Sequence, residues 1–181
     1  MIHLNLTGIY AQIGEQHGQA IKSEGNFFGR NYDFAYDMPP SVTYRTYLEN
    51  GYASLGNCDI WIGREDGLNE AGLFVGIAAT MLPGYQPGLT FWFVVRMLLD
   101  RCATVEEGLE LVQGISHAQS RNFLLADRSG QAAVAEVTTD GVEVRKPEDG
   151  LLVITNHAVS PELAEREEQI RYSRLMKSYV S

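Results

Sequence analysis

A chain of 181 residues with 45% hydrophobic and 20% charged residues has the material for one folded domain with a buried core. Its 14 Lys and Arg against 23 Asp and Glu give a net charge of −9, which argues against nucleic acid or an anionic membrane as partner. Leu89 to Leu99 is broken by Thr90 and Arg96 and is too short to cross a bilayer, no signal peptide is expected, and two cysteines are too few for a disulfide framework. A reducing, cytoplasmic setting is therefore expected.

Ile2, Leu4 and Leu6 alternate with polar residues and predict a short opening strand. Ile9, Ile13, His17 and Ile21 recur every fourth residue, a helical spacing weakened by Gly14 and Gly18. The apolar positions of Gly25 to Phe34 read as a strand, ended by Asp37-Met38-Pro39-Pro40. A further strand is expected over Val42 to Leu48, and Asn50-Gly51 is a turn signal. Ile60, Trp61 and Ile62 form a short apolar run. Asp66 to Gly72 reads as a tight connection before Leu73 to Ala79, whose unbroken hydrophobicity suits a strand buried on both faces.

A helix is predicted from about Thr90 to Arg101. Thr104-Val105-Glu106-Glu107 matches a capping box opening a second. Four strands should follow as an antiparallel meander, within Phe123–Ala126, Ala132–Val137, Val142–Val144 and Leu151–Thr155, each ended by a turn signal. A charged helix, Glu162 to Lys177, comes last. Runs of strands with paired helices between them indicate α+β.

No Gly-rich phosphate loop, GxSxG elbow or metal-spaced Cys and His cluster occurs, so neither metal nor cofactor is expected. The unusual feature is the polar set Gly29, Arg30, Asn31 and Asp33 inside an aromatic strand, against strand propensity. A charge pair at the floor of a site would account for it, and so would a structural ion pair.

A series of short segments gives a chemical reason. Gly29-Arg30-Asn31-Tyr32-Asp33-Phe34 resembles the GRNxD[FW] signature of the choloylglycine hydrolase and penicillin acyltransferase group of N-terminal-nucleophile hydrolases. Asp66 to Leu73 resembles that group's DGxNExGL segment, and Asn122 to Gly130, followed by Glu136, its NFLLAD-x-SG meander. Thr155-Asn156-His157 is similar to its TNH and Arg171 to Leu175 to its RYxRL, while Ile13 to Gly18 is similar to the IGxQHG of the acyltransferase branch. The resemblance implies a four-layer αββα sandwich that acts on small linear amides such as bile-salt, penicillin or N-acyl amide substrates. The attacking group would be an N-terminal cysteine whose own α-amine is the base. Such a nucleophile needs a group beside the thiol, an acceptor for the ammonium and donors for the oxyanion. By motif, Arg30 would lie beside the thiol and Asp33 would hold the amine. The Asn69 backbone amide and the Asn156 side chain would form the oxyanion hole, and Arg171, or Arg174, would supply a further arginine. Read without the resemblance, Asn69 is equally a turn residue, Asn156 a strand-end cap, and Arg171 and Arg174 part of a solvated helix face.

The resemblance also predicts a gap. The cysteine should stand roughly fifteen residues before Gly29, at the start of the strand carrying its supports, and the stretch from Gly14 to Gln16 holds none. Residues 1–24 therefore read as the remnant of an upstream segment and 25–181 as a single hydrolase core that is short at its C-terminus. Weak or absent turnover is expected; a pseudoenzyme or acyl-amide binding module is the alternative. Cys102 should be a buried, inert thiol, and Cys58 a partly exposed one outside the motif framework. Exposed sheet edges would favour a homo-oligomer.

Overall fold

The computed structural model describes residues 9–12, 27–30, 42–58, 63–80, 82–148 and 151–180. Within them, β1 (Ile9–Gln12), β2 (Phe27–Arg30), β3 (Val42–Thr46), β4 (Ser54–Cys58), β5 (Asp66–Asn69) and β6 (Phe74–Ala79) precede α1 (Phe91–Arg101) and α2 (Val105–Gly114). Then come β7 (Arg121–Ala126), β8 (Ala132–Val137), β9 (Val142–Arg145), β10 (Leu151–Ile154) and α3 (Pro161–Val180). β3 to β9 form a seven-stranded sheet in chain order, each strand antiparallel to the next. β10, β1 and β2 form a separate three-stranded sheet with β1 in the centre.

Period-two alternation decides which side chains face which layer. On β6 and β7, Val75, Ile77, Phe123 and Leu125 pack beneath α1 and α2, joined by Ala133, Ala135 and Val137 of β8. The intervening Ala78, Leu124, Ala126, Ala132 and Val134 pack against Leu152 and Ile154 of β10. Helices, long sheet and short sheet thus stack as three layers. α1 presents Phe91, Val94, Val95, Leu98 and Leu99, the i, i+3, i+4, i+7, i+8 stripe of a core-facing helix. At the other end of the long sheet, buried Arg64 donates to the Tyr44 carbonyl at 2.9 Å and to the Gly56 carbonyl at 2.5 Å. It shares the Thr46 hydroxyl with Arg96 of α1, tying β3 and β4 to the helix layer.

α2 opens as the capping box predicts, with one displacement. Thr104 Oγ1 accepts from the Glu107 amide at 3.2 Å, while the Glu107 carboxylate reaches the Ala103 amide at 2.6 Å instead of that of Thr104. Thr104→Ala should cost about 1 kcal/mol, measured by urea unfolding; an unchanged midpoint would show that Glu107 alone suffices.

Several expectations need correcting. Ile9–Gln12 is a strand, although the fourfold spacing from Ile9 predicts a helix: hydrogen-bonded neighbours on both sides outweigh local periodicity. Asp66–Asn69 is likewise a strand and not part of a loop, paired with β4 and β6. Its glycine answers to close packing, since a Cβ at Gly67 would sit 2.7 Å from Leu99 Cδ1. The turn proper is Glu70-Ala71, closed by Gly72 at a φ of 92°. β4 carries no clear sequence signal. Leu151–Ile154 leaves the meander after its third strand and joins the short sheet beside β1. The readings placed on Ile2–Leu6, Ile13–Ile21, Tyr32–Phe34 and Ile60–Ile62 lie outside the described residues.

Candidate active site

The short sheet brings two of the candidate residues, Arg30 and Asn156, toward one end. Ile9 is partnered on one side by Arg30 and on the other by Ile154, so the last residues of β2 and β10 share one row. Both strands run antiparallel to β1 and therefore parallel to each other. Arg30 and Ile154 therefore end their strands at the same end of the sheet, and Asn156 comes two residues after Ile154. Asp33 lies outside the described residues.

Thr155-Asn156-His157 makes a tight turn, closed by an antiparallel bridge between Thr155 and His157 and by Thr155 Oγ1 against His157 Nδ1 at 2.7 Å. The long sheet grips this turn through side chains. Asn122 of β7, fully buried, donates from Nδ2 to the carbonyls of Thr155 at 3.2 Å and His157 at 3.0 Å. Its register partner on β8 is Glu136, which is 1% exposed. Glu136 Oε1 accepts from the Val159 amide at 2.9 Å and from Arg145 Nε at 2.7 Å, and Oε2 from the Ser160 amide at 2.9 Å. Glu167 of α3 accepts from the Ala158 amide at 2.5 Å. Burial alone would push the Glu136 carboxyl up; the amides of Ser160 and Val159, with the side chains of Ser160 and Arg145, outweigh it and hold the group below its ordinary value.

Within this clamp Asn156 Oδ1 is buried without a hydrogen-bond partner. So are Asn122 Oδ1, Thr80 Oγ1 and Ser120 Oγ. Thr80 and Ser120 are the next residues past the paired Ala79 and Arg121, two positions along from the Ala78–Asn122 pair. Buried polar atoms normally find partners, so this group of orphans marks a place suited to a polar ligand or water.

Asn69 is placed elsewhere. It ends β5 and donates its backbone N–H to the Leu73 carbonyl at 3.0 Å. Its Nδ2 donates to the carbonyls of Leu99 at 2.9 Å and Cys102 at 2.7 Å, and its Oδ1 accepts from the Leu73 amide at 2.9 Å. Leu73 and Ala78 are separated by five residues of strand, about 17 Å at 3.4 Å per residue, and the Asn156 turn sits at the Ala78 end through Asn122. Two oxyanion donors must meet one oxygen, and a donor already spent at the far end of the sheet does not. Asn69 and Asn156 thus lie toward opposite ends of β6, and the Asn69 side chain ties β5 to α1. Arg171 is exposed on α3, and nothing is described of the Arg174 side chain.

The cysteines are also corrected in part. Cys102 is buried as expected; burial, with Glu107 nearby, pushes its thiol up to about 11. Cys58 is not partly exposed but buried, at 2%. Among the described residues no group of three or more His, Cys, Asp and Glu could hold a metal ion, and no helix is long and apolar enough to cross a membrane.

Sequence reasoning missed the functions of Asn122 and Glu136 although it noted both. The signal was present: each is a polar residue within an otherwise buried strand, at the parity facing the second sheet.

Residues 21–178 match the acyl-coenzyme A:6-aminopenicillanic acid acyl-transferase family. No curated protein matches the chain by sequence. Among solved structures, a variant of the conjugated bile acid hydrolase from Clostridium perfringens superposes with a TM-score of 0.61 at 16% identity, over 85% of this chain and 54% of that one. The Caenorhabditis elegans ortholog of N-acylethanolamine-hydrolyzing acid amidase superposes with a TM-score of 0.60 at 17% identity, over 90% of this chain and 73% of that one. The chain therefore spans about half the length of the bile acid hydrolase.

Proposed function

The chain belongs to the acyl-coenzyme A:6-aminopenicillanic acid acyl-transferase family and has the layered fold of the N-terminal-nucleophile hydrolases, and from that premise we propose that its site binds a small linear amide, as a C–N hydrolase or acyltransferase with little turnover of its own. The observation carrying this reading is the Asn156 side chain, whose buried Oδ1 has no partner in the fold, on a turn whose backbone is fixed from the long sheet; the Nδ2 of that amide is the group that would donate. A donor that need not reorganise when charge develops on a carbonyl oxygen is what oxyanion stabilisation requires. Arg30, at the same sheet end, would steady a thiolate, and Asp33, by its motif, an ammonium. Asn69 has no part in this assignment, and Arg171 none that its exposed position supports.

The sequence supports low turnover. No cysteine stands where the strand leading to Arg30 would need one, and both cysteines present are buried, that of Cys102 with its thiol pushed up to about 11. A buried thiol pushed up in this way is a poor nucleophile. Incubation with penicillin V, a conjugated bile salt and an N-acyl amino acid should release little amine. Rapid release abolished by Cys58→Ala would overturn this reading.

The burial of both thiols also favours the second reading, an acyl-amide binding module. Calorimetric titration with a non-hydrolysable amide should give saturable heat, and none at millimolar ligand would count against it. A cytoplasmic location suits the reduced cysteines. Self-association through β3, an edge of the long sheet among the described residues, is the oligomeric proposal, and a monomer in light scattering would end it.

A further inference from the structure

We propose that Asn122 is a positioning residue for the amide chemistry, fixing the turn that carries Asn156 against the long sheet; this rests on the reading of Asn156 as an oxyanion donor. The turn belongs to the short sheet, and Asn122 to the long one. Its two donated bonds go to the carbonyls of the residues on either side of Asn156, at 3.2 Å and 3.0 Å. Its Oδ1 has no partner, so all the hydrogen bonding of this buried side chain serves one turn. A primary amide buried in a strand of apolar residues costs stability unless its groups are bonded, and here one of its atoms is not. An asparagine present only to be satisfied in a sheet interior would not be left in that state.

The neighbouring bonds extend the clamp along the loop. Glu136, opposite Asn122 in register, holds the amides of Val159 and Ser160, and Glu167 holds that of Ala158. The backbone downstream of Asn156 is therefore anchored at three successive residues, and Asn122 anchors the residues on either side of Asn156. Within the turn, Asn156 Oδ1 is a buried side-chain atom without a partner. Placing a donor this way matters because an error of about 1 Å at a reacting centre can cost about 100-fold.

The test separates positioning from mere support. In Asn122→Ala, ¹⁵N relaxation should show the Asn156 amide order parameter falling from about 0.85 to below about 0.6. Affinity for the phosphonamidate analogue of N-decanoylglycine, a tetrahedral mimic, should fall about 10- to 100-fold. Affinity for N-decanoylglycine itself should hold within about two-fold, since a ground-state carbonyl calls on the oxyanion donor far less. An unchanged order parameter, or equal weakening of both ligands, overturns the proposal. Asn156→Ala tests the underlying reading: if the analogue binds it as well as wild type, or if wild type binds neither probe, that reading fails and the proposal with it. If Asn156→Ala weakens the analogue and Asn122→Ala does not, positioning alone is refuted. Should Asn122→Ala not fold, Asn122→Leu, which keeps the branched shape, is measured in its place.

Discussion

Asn69→Ala is expected to lower stability by about 3 kcal/mol or more, from three buried groups left unsatisfied at about 1–3 kcal/mol each, and to leave affinity for a tetrahedral amide mimic unchanged. The groups are the Leu73 amide and the carbonyls of Leu99 and Cys102. The helix end explains why the loss should be near the full amount. The Ala103 amide, which would close the last turn of α1 on Leu99, is given to Glu107 instead. The Leu99 carbonyl is thereby one of the orphans that every helix C-terminus carries, and Asn69 is the group that satisfies it. At about 2–4 °C per kcal/mol for a chain of this size, the melting temperature should fall by roughly 10 °C. An oxyanion role through the backbone amide would survive this variant, because alanine keeps that amide, so the stability loss is the reading that tests the tie. A loss below about 1 kcal/mol would show that the Asn69 side chain does not hold β5 to α1.

The same residue shows where sequence reasoning reaches its limit. The segment around Asn69 identified the family correctly, but a motif says that a residue belongs to a protein and not which end of a sheet it occupies. Here the ladder decides: Leu68 pairs with Phe74 and Asn122 with Ala78, and these rows lie at opposite ends of β6. Local signals worked where local physics dominates. The Thr104 cap, the α1 stripe and the alternation of β7 and β8 each follow from a few adjacent residues. They failed where a partner distant in sequence dictates the structure. Ile9–Gln12 carries helical spacing yet is the central strand of a sheet, because strands about 20 and 140 residues away satisfy both its edges. Leu151–Ile154 reads as a fourth meander strand, and only the Arg30–Ile9–Ile154 row reveals that it belongs beside β2. That row is also what brings Arg30 and Asn156 to one end, so the site was legible as a set of residue types and illegible as a place.

Glu136→Gln should cost about 3 kcal/mol at neutral pH, the usual result of removing one partner from a buried charged pair, and the cost should shrink in acid. The variant keeps the volume but replaces one acceptor oxygen with a donor, set against the Val159 or Ser160 amide or Arg145 Nε. The pH dependence follows from the folded-state value. Burial raises the carboxyl, but the amides of Ser160 and Val159 and the side chains of Ser160 and Arg145 hold it below its ordinary 4.5. A carboxyl lower in the folded than in the unfolded chain contributes stability that is fully present above the unfolded value and is lost as pH falls through the folded one. The difference between wild type and Glu136→Gln should therefore be constant from pH 7 to about pH 5 and narrow only below about 4.5. Asp127 acts in the same direction, since hydrogen bonds from Ser129, Val105 and Gln131 overcome its burial and hold it below its ordinary value. Because both proteins carry Asp127, it cancels from the difference, which isolates Glu136. Urea unfolding of the two proteins at pH 7, 5 and 3 reads this directly. A gap that persists undiminished at pH 3 would mean that the carboxylate charge is not what holds the loop after Asn156, leaving packing of the side chain as the cause.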